Sequence, residues 1–218
     1  AELDGADAII SIFEHIRDIP YSLSVHMTDP KTAPDQMLLL GKGYCGPKHY
    51  LLAEMYRRLG YEAVYAMFPF LWNDPDLHYP PELRHLATSL PVAHHLACRV
   101  RIDDHWVLVD ATWDPPLAIG GFPVNEHWDG QTDTVCAVKP LQSPCHTEFC
   151  RKVTNEPYRD RCDPELNRCL GEQDHGDSGD HARHFRRKTG MRTPEEVERN
   201  RMFYQAFELW LQEVRKHW

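Results

Sequence analysis

The chain has 218 residues, which is enough for one well-buried domain and short for two. Hydrophobic residues make up 42% and charged residues 26%, as in ordinary soluble globular proteins, and the formal net charge of -9 argues against a nucleic-acid partner. No apolar run approaches the length of a membrane span, so we expect no membrane partner.

The compartment is predicted from the cysteines and from the start of the chain. Seven cysteines are an odd number, which disfavours a fully paired disulfide framework and favours a reducing, cytoplasmic setting. No signal peptide is visible, but the numbering starts at Ala1 without Met, so a removed leader stays open. Neither feature predicts an oligomeric state.

An amphipathic helix is predicted over residues 6–19. Its apolar side chains recur at helical spacing, and Pro20 stops it. Residues 21–42 look irregular, apart from the apolar run 37–40. The apolar positions of the helix are Ile9, Ile12, Phe13 and Ile16.

A second helix is predicted over residues 45–59, and it is the clearest in the chain. Pro47 suits its first turn, where the missing amide hydrogen is not needed, and Gly60 is the expected C-terminal stop. Its predicted buried positions are Leu51, Leu52, Met55 and Leu59.

Two candidate strands and one long loop are predicted in addition to the hairpin described next. Residues 61–68 form one candidate strand, and residues 134–138 form another. Residues 69–91 are rich in Pro and Asp and are predicted to be a loop. Loops of that length often act as lids or binding loops.

A hairpin is predicted over residues 95–102 and 105–112, with Asp103-Asp104 as its two-residue turn. Polar and apolar residues alternate in its first strand, which predicts a half-buried antiparallel strand. His95 then lies on the face opposite the apolar set. That set is Leu96, Cys98, Val100 and Ile102.

The last third of the chain contains an insertion and a final helix. Residues 141–190 carry four cysteines and many charges with little apolar periodicity, so we expect an insertion without its own core. Residues 193–217 begin with a capping box and are predicted to be a helix that docks back on the core. Its apolar positions are Val197, Tyr204, Phe207, Leu211, Val214 and Trp218. The predicted fold class is α+β, with residues 1–218 forming a single domain.

A thiol, an imidazole and a carboxylate occur where acyl-transfer chemistry needs them. Cys45 opens a predicted helix, whose amide hydrogens and dipole favour a thiolate and an oxyanion. His95 can move the proton, and Asp110 can orient the imidazole. The alternative is that Cys45 is a small buried hydrophobe, His95 a surface residue and Asp110 a turn residue.

The local motifs around these residues resemble the transglutaminase-like superfamily. They are Gly-Tyr-Cys at a helix start, then His, then Trp-(x)3-Asp-Ala-Thr-Trp. In that family the catalytic His lies fifteen residues before the Asp, with a Trp at the eleventh step. His95, Trp106 and Asp110 reproduce the spacing, which selects His95 over His94.

The resemblance covers about residues 8–140 and suggests a prokaryotic-type member. It implies a papain-like core in which the Cys helix packs on an antiparallel sheet that supplies His and Asp. It also implies thiol-based acyl transfer on amides, with no cofactor required. The chain departs from the family at Ala97, where an aromatic residue is common, in the long segment 69–91, and in the cysteine-rich stretch after residue 140.

Two aromatic residues are candidates for oxyanion or substrate contacts. Tyr21 lies at roughly the distance before the Cys where many relatives carry a Tyr, and core packing is its alternative role. Trp113 follows the Asp and can line a substrate groove or pack in the core.

The insertion contains two candidate metal-binding groups. Four thiolates could hold a structural zinc, with two disulfides or free thiols as alternatives; they are Cys145, Cys150, Cys162 and Cys169. Three histidines among aspartates could bind a divalent ion, with a solvated polar loop as the alternative; they are His175, His181 and His184.

The predicted function is cysteine-dependent acyl transfer on a protein or peptide substrate through a Cys45 thioester. Water completes hydrolysis, and an amine completes transamidation. Hydrolysis is favoured, because excluding water needs a specialised tunnel with no visible sequence signature. A non-catalytic interaction module on the same fold is the second hypothesis. A zinc hydrolase is disfavoured because no H-E-x-x-H motif occurs.

Overall fold

The computed structural model describes residues 5–24, 27, 29–141 and 194–218. It combines helices with an antiparallel sheet, which is the predicted α+β class. The elements are α1 (Gly5–Arg17), α2 (Ala33–Leu40), α3 (Cys45–Arg58), β1 (Ala63–Phe70), α4 (Pro81–Thr88), β2 (Ala93–Ile102), β3 (His105–Val109), a 3-10 helix (Pro115–Gly120) and α5 (Pro194–Arg215).

The three strands form one antiparallel sheet in the order β1-β2-β3. The predicted Asp103-Asp104 turn is confirmed, because both residues have positive φ (45° and 66°), as a two-residue type I′ hairpin requires. Ile102 therefore pairs with His105, and Cys98 with Val109. Since β3 ends at Val109 instead of residue 112, Asp110 lies just beyond the strand.

The prediction that β2 is half-buried is wrong. His95, Ala97 and Arg99 are 3%, 0% and 8% exposed, although they alternate with the apolar set. Helix α3 packs against the apolar set, and on the other face Ala97 joins a small cluster against which Cys136 and Val138 pack. Both faces of the strand are thus covered.

Residues 134–138 do not form the predicted strand. Thr134 N–H donates to Leu108 O (2.9 Å), but the neighbouring bonds use side chains. Asp133 Oδ1 accepts from Leu108 N–H (2.6 Å), and Thr134 Oγ1 accepts from Asp110 N–H (2.9 Å). Side-chain oxygens therefore replace the partner strand at this edge of the sheet.

Two short helices lie where the sequence predicted irregular structure. In α2 only Ala33 and Met37 are buried, while the apolar run 38–40 is exposed, so its pattern is not amphipathic. In α4, within the predicted loop 69–91, Leu83 and Ala87 are buried one turn apart. Both helices have proline in the first turn, a helix-start signal that the spacing of apolar residues does not detect.

The buried faces of α3 and α5 differ from those predicted. Leu52 is buried as expected, but Leu59 is exposed, and the fully buried side chains of α3 include the polar Lys48 and His49. On α5, Val197 and Trp218 are exposed, and Phe203 is buried in their place. In α3 the polar side chains can be buried because each has several hydrogen-bond partners.

The described residues form two main apolar clusters. One joins α1 and α3 to the sheet. The other joins α5 to the aromatic residues that follow β1 and β3, including Trp72, Trp113 and Phe122. No helix in these described ranges is long and apolar enough to cross a membrane.

Several predictions fall on residues 142–193, which lie outside the described residues. They include Thr193 of the capping box and the proposal of a core-free insertion. The candidate metal ligands there are Cys145, Cys150, Cys162, Cys169, His175, His181 and His184. For the same reason, a single domain over residues 1–218 stays a prediction.

Candidate active site

Cys45 is the first residue of α3 and is partly exposed. The preceding Gly43 is held by two backbone bonds, from its own N–H to Pro20 O (3.0 Å) and from Ser22 N–H to its carbonyl (2.8 Å). A Cβ at Gly43 would lie 2.7 Å from the Met37 side chain, so α2 approaches closely there. The amides of the first helical turn have no partner within the helix, which leaves the Cys45 amide suited to hold an oxyanion.

His95 and Asp110 are buried and hydrogen-bonded, with Nε2 2.7 Å from Oδ2. The Cys45 thiol lies near His95, close enough to contribute to the raised pKa of the imidazole. Since Nε2 is bonded to Asp110, Nδ1 is the ring nitrogen left for the thiol. Burial alone would lower the pKa of His95, but the Asp110 charge and the contact with Cys45 outweigh it and raise that pKa well above its usual range.

Asp110 accepts four hydrogen bonds, and all four come from fixed donors. Oδ2 accepts from His95 Nε2 and from Ala137 N–H (2.8 Å), while Oδ1 accepts from Thr112 N–H (3.2 Å) and Thr112 Oγ1 (2.6 Å). Burial would raise the pKa of Asp110, but the His95 charge and these bonds hold it well below its usual range. Asp110 is therefore a fixed carboxylate that orients His95.

His49, one turn after Cys45 on α3, has a tautomer fixed by its contacts. Nδ1 lies 2.8 Å from Cys45 O, so it carries the hydrogen, and Nε2 accepts from Ala111 N–H (3.1 Å). Burial lowers the pKa of His49 to about 4, despite the opposing charge of Asp110. The 3.6 Å approach of Nε2 to Asp110 Oδ1 is thus a contact of a neutral imidazole and not an ion pair.

Because His49 is buried as a neutral imidazole, we expect the folded protein to lose stability in mild acid. Its pKa falls from 6.5 in the unfolded chain to about 4 in the fold, so this contribution is complete above pH 6.5 and is lost as pH falls to 4. The shift corresponds to about 3 kcal/mol of unfolding free energy. Urea titrations between pH 7 and pH 4 should show that decline in the wild type.

The matched variants are His49→Gln and His127→Gln, the second at an exposed position. Gln can replace both hydrogen bonds of His49 but does not titrate, so most of the decline between pH 6.5 and pH 4 should vanish in His49→Gln. His127→Gln should retain the wild-type decline. An unchanged decline in His49→Gln would show that His49 is not buried in its neutral form.

Lys48 is fully buried beside the site. Its Nζ donates to the carbonyls of Arg17 (2.9 Å), Ile19 (2.8 Å) and Thr112 (2.7 Å). Burial lowers the pKa of Lys48 to about 7, against the raising effect of Asp114 and Asp110. Three donated bonds are the number an ammonium provides. Lys48 thereby holds the end of α1 and the segment after Asp110 against α3.

Helix α5 reaches the same region through Arg215 and Glu208. Arg215 forms a bidentate ion pair with Asp114 (2.8 and 2.7 Å) and also donates to Tyr21 O (2.8 Å). Glu208 accepts from Ser22 Oγ (2.8 Å) and Leu23 N–H (3.1 Å). Helix α5 therefore fixes the segment of residues 21–23, which runs beside Gly43 near the start of α3.

Tyr21 and Trp113 pack on each other in the second apolar cluster, with ring centroids 4.4 Å apart. Both are buried, and Trp113 Nε1 donates to Ala137 O (2.7 Å). Burial and the neighbouring Cys45 raise the pKa of the Tyr21 hydroxyl, which stays protonated at neutral pH. Both residues thus have the packing role that the sequence left open as an alternative.

A cavity of about 290 Å³ adjoins the site. Its walls are mainly apolar and include Phe70, Trp72, Trp113 and Phe122, while Cys136 and Ala137 line its side. Trp72 Nε1 is a buried donor without a hydrogen-bond partner among the described residues. Ala137 connects cavity and site, because its amide donates to Asp110.

Sequence reasoning missed five residues of this region, namely Lys48, His49, Thr112, Cys136 and Arg215. His49 carried one local signal, since it lies four residues after Cys45 and so on the same helix face. Cys136 carried none, because its approach to His95 and Asp110 depends on how residues 133–137 cross the sheet edge.

Comparison with known proteins identifies no family. No protein-family model matches the sequence, and no curated protein matches it. Among solved structures, it is similar to that of a "putative cysteine protease" from Cytophaga hutchinsonii, with 20% identity and a TM-score of 0.36. The match covers 54% of this chain and spans only 35% of the other. At this TM-score the likeness assigns neither fold nor activity.

Proposed function

We propose that the protein is a cysteine-dependent acyl-transfer enzyme of the transglutaminase-like type, with a papain-like core, and that it hydrolyses amide bonds. The supporting observation is that the buried His95–Asp110 pair, hydrogen-bonded at 2.7 Å, lies beside Cys45 at the start of α3. A buried His–Asp pair beside a partly exposed thiol is the arrangement that nucleophilic catalysis by cysteine requires. A reducing, cytoplasmic setting, which keeps the thiol reduced, belongs to the same proposal.

In the proposed reaction Cys45 Sγ attacks the substrate carbonyl while His95 accepts the thiol proton. The oxyanion lies at the Cys45 amide, with the Tyr21 hydroxyl as a second candidate donor. His95 then protonates the leaving amine, the amine departs, and a thioester remains on Cys45. Water, deprotonated by His95, attacks the thioester and releases the acid and the free thiol. No cofactor takes part in these steps.

The cavity supports a peptide or protein substrate with a large apolar side chain. Its volume of about 290 Å³ and its aromatic walls suit such a group, with Trp113 as one wall.

Acylation by p-nitrophenyl acetate tests the proposal without knowledge of the natural substrate. We expect a burst of nitrophenolate close to one equivalent, with the added acetyl group located on Cys45 by mass spectrometry. His95→Ala should slow the burst about a hundredfold or more, the range expected for loss of a general base. Trp218→Ala, at an exposed position outside the site, should leave the burst unchanged.

Cys45→Ala is the decisive control, because it removes the nucleophile at a partly exposed position where the fold should tolerate the change. A burst that persists in this variant, or an acetyl group on other cysteines at the same rate, would contradict the enzyme proposal and favour an interaction module. Adding a primary amine distinguishes the two reactions. Faster loss of the acetyl group with transfer to the amine indicates transamidation, and an unchanged rate indicates hydrolysis.

A further inference from the structure

A second thiol lies against the His95–Asp110 pair. The Cys136 sulfur, a ring nitrogen of His95 and a carboxylate oxygen of Asp110 all lie within 4.8 Å of one another. The proposed acyl transfer gives Cys136 no role. Thiolate, imidazole and carboxylate are together the ligand types that proteins use for zinc and chemically similar divalent transition metals, and they suit magnesium or calcium poorly.

The backbone around Cys136 is fixed on both sides. Ala137 N–H donates to Asp110 Oδ2 (2.8 Å), and Ala137 O accepts from Trp113 Nε1 (2.7 Å). On the other side, Val135 and Asn125 exchange two hydrogen bonds, of 2.9 Å and 2.8 Å. Cys136 is thus held beside Asp110 by contacts that do not involve its own side chain.

A tetrahedral ion needs only small movements here. Zinc bonds of about 2.0–2.3 Å place neighbouring ligand atoms roughly 3.3–3.8 Å apart. An ion bound through His95 Nε2 and Asp110 Oδ2 would move these two atoms apart from their present 2.7 Å. The Cys136 sulfur already lies within 4.8 Å of a ring nitrogen of His95 and a carboxylate oxygen of Asp110, so it would need to move little. The fourth position would be taken by water, as in other zinc sites with three protein ligands.

We propose that His95, Asp110 and Cys136 form a binding site for a zinc-class divalent transition metal, and that the bound ion blocks acyl transfer. The ion replaces the His95–Asp110 hydrogen bond, so His95 no longer exchanges a proton with Cys45. The metal site itself stands on the geometry, while the inhibition rests on the proposed function.

Metal binding is measured first in the full chain carrying Cys45→Ser, so that the nucleophile cannot act as a ligand. Cobalt(II) supplies the signal, because a thiolate ligand gives a charge-transfer absorption band, and zinc then competes for the site. Variants that add Cys136→Ser or His95→Gln to this parent remove one ligand each. His127→Ala in the same parent, at an exposed histidine, is the matched control. Any metal held by the cysteines beyond residue 141 is common to all four proteins.

We expect Cys136→Ser and His95→Gln to lose one equivalent of bound metal, or to bind it at least about tenfold more weakly, since even outer partners of a metal site change affinity by that factor. His127→Ala should match the parent. Equal metal affinity and stoichiometry in all four folded proteins would overturn the site. In the protein with Cys45 intact, zinc should suppress the acetylation burst, and Cys136→Ser should weaken that effect at least about tenfold.

The two proposals fail in distinguishable ways. Absence of an acetylation burst without added metal contradicts the enzyme proposal, while metal binding to the Cys45→Ser parent still tests the site. A normal burst that zinc inhibits equally with and without Cys136 would contradict inhibition through this site, while the metal titration of the Cys45→Ser parent decides whether the site exists.

Discussion

Replacing Asp110 by asparagine should lower the rate of Cys45 acetylation by roughly a thousandfold or more, the scale expected when the acid of a catalytic triad becomes an amide. Asp110 holds the His95 ring through Nε2 and stabilises its charged form. Without the carboxylate charge, the protonated imidazole that forms when His95 accepts the thiol proton loses its main partner.

The hydrogen-bond pattern explains why an amide cannot substitute for this carboxylate. Both oxygens of Asp110 accept from N–H or O–H groups, two of which belong to the backbone of Thr112 and Ala137. Whichever way the asparagine side chain is turned, its NH2 group faces at least one backbone N–H that cannot rotate. The variant should therefore also lose about 1–3 kcal/mol of unfolding free energy, the usual cost of an unsatisfied buried group.

Asp133→Asn is the matched control for this prediction. Asp133 is exposed and accepts one bond, from Leu108 N–H (2.6 Å), which an amide oxygen can still accept. Its acetylation burst should equal that of the wild type. Stopped-flow release of nitrophenolate checks both variants, with urea unfolding to confirm that each is folded. A burst in Asp110→Asn within tenfold of the wild type would show that His95 does not depend on this carboxylate.

The parts of the fold that could be predicted from sequence are those set by local chemistry. Pro47 and Gly60 mark the ends of α3, and the paired aspartates at 103 and 104 adopt the positive φ angles of a two-residue turn. Such a turn fixes the register of β2 and β3, and it brings His95 and Asp110 to the same end of the hairpin. The formation of the His95–Asp110 pair beside Cys45 follows from that register.

The residues that could not be predicted depend on partners distant in sequence. Lys48 and His49 look like solvent-exposed positions of an amphipathic helix, and their burial depends on bonds to distant groups such as the carbonyl of Thr112 and the amide of Ala111. The same holds for Arg215, whose partner Asp114 lies about a hundred residues earlier. Periodicity assigns polar residues to the surface because it contains no information about such long-range bonds.

The largest expected effect on stability comes from Phe207→Ala on α5, which should lower the unfolding free energy by about 3–5 kcal/mol. Phe207 is fully buried, and its ring meets those of Tyr21, Trp72, Tyr79, Phe122, Phe203 and Trp210 at centroid distances of 5.1 to 6.5 Å. Removing it leaves a cavity between rings that the surrounding structure cannot readily close. Urea unfolding at pH 7 measures the loss.

Leu209→Ala is the control on the same helix, because Leu209 is 68% exposed. It removes an apolar side chain with a similar effect on helix propensity, yet its unfolding free energy should stay within about 0.5 kcal/mol of the wild type. Equal losses in the two variants would mean that α5 does not pack on the aromatic cluster through Phe207. A large loss confined to Phe207→Ala would support a helix that stabilises the fold and, through Arg215 and Glu208, holds the segment beside Cys45 in place.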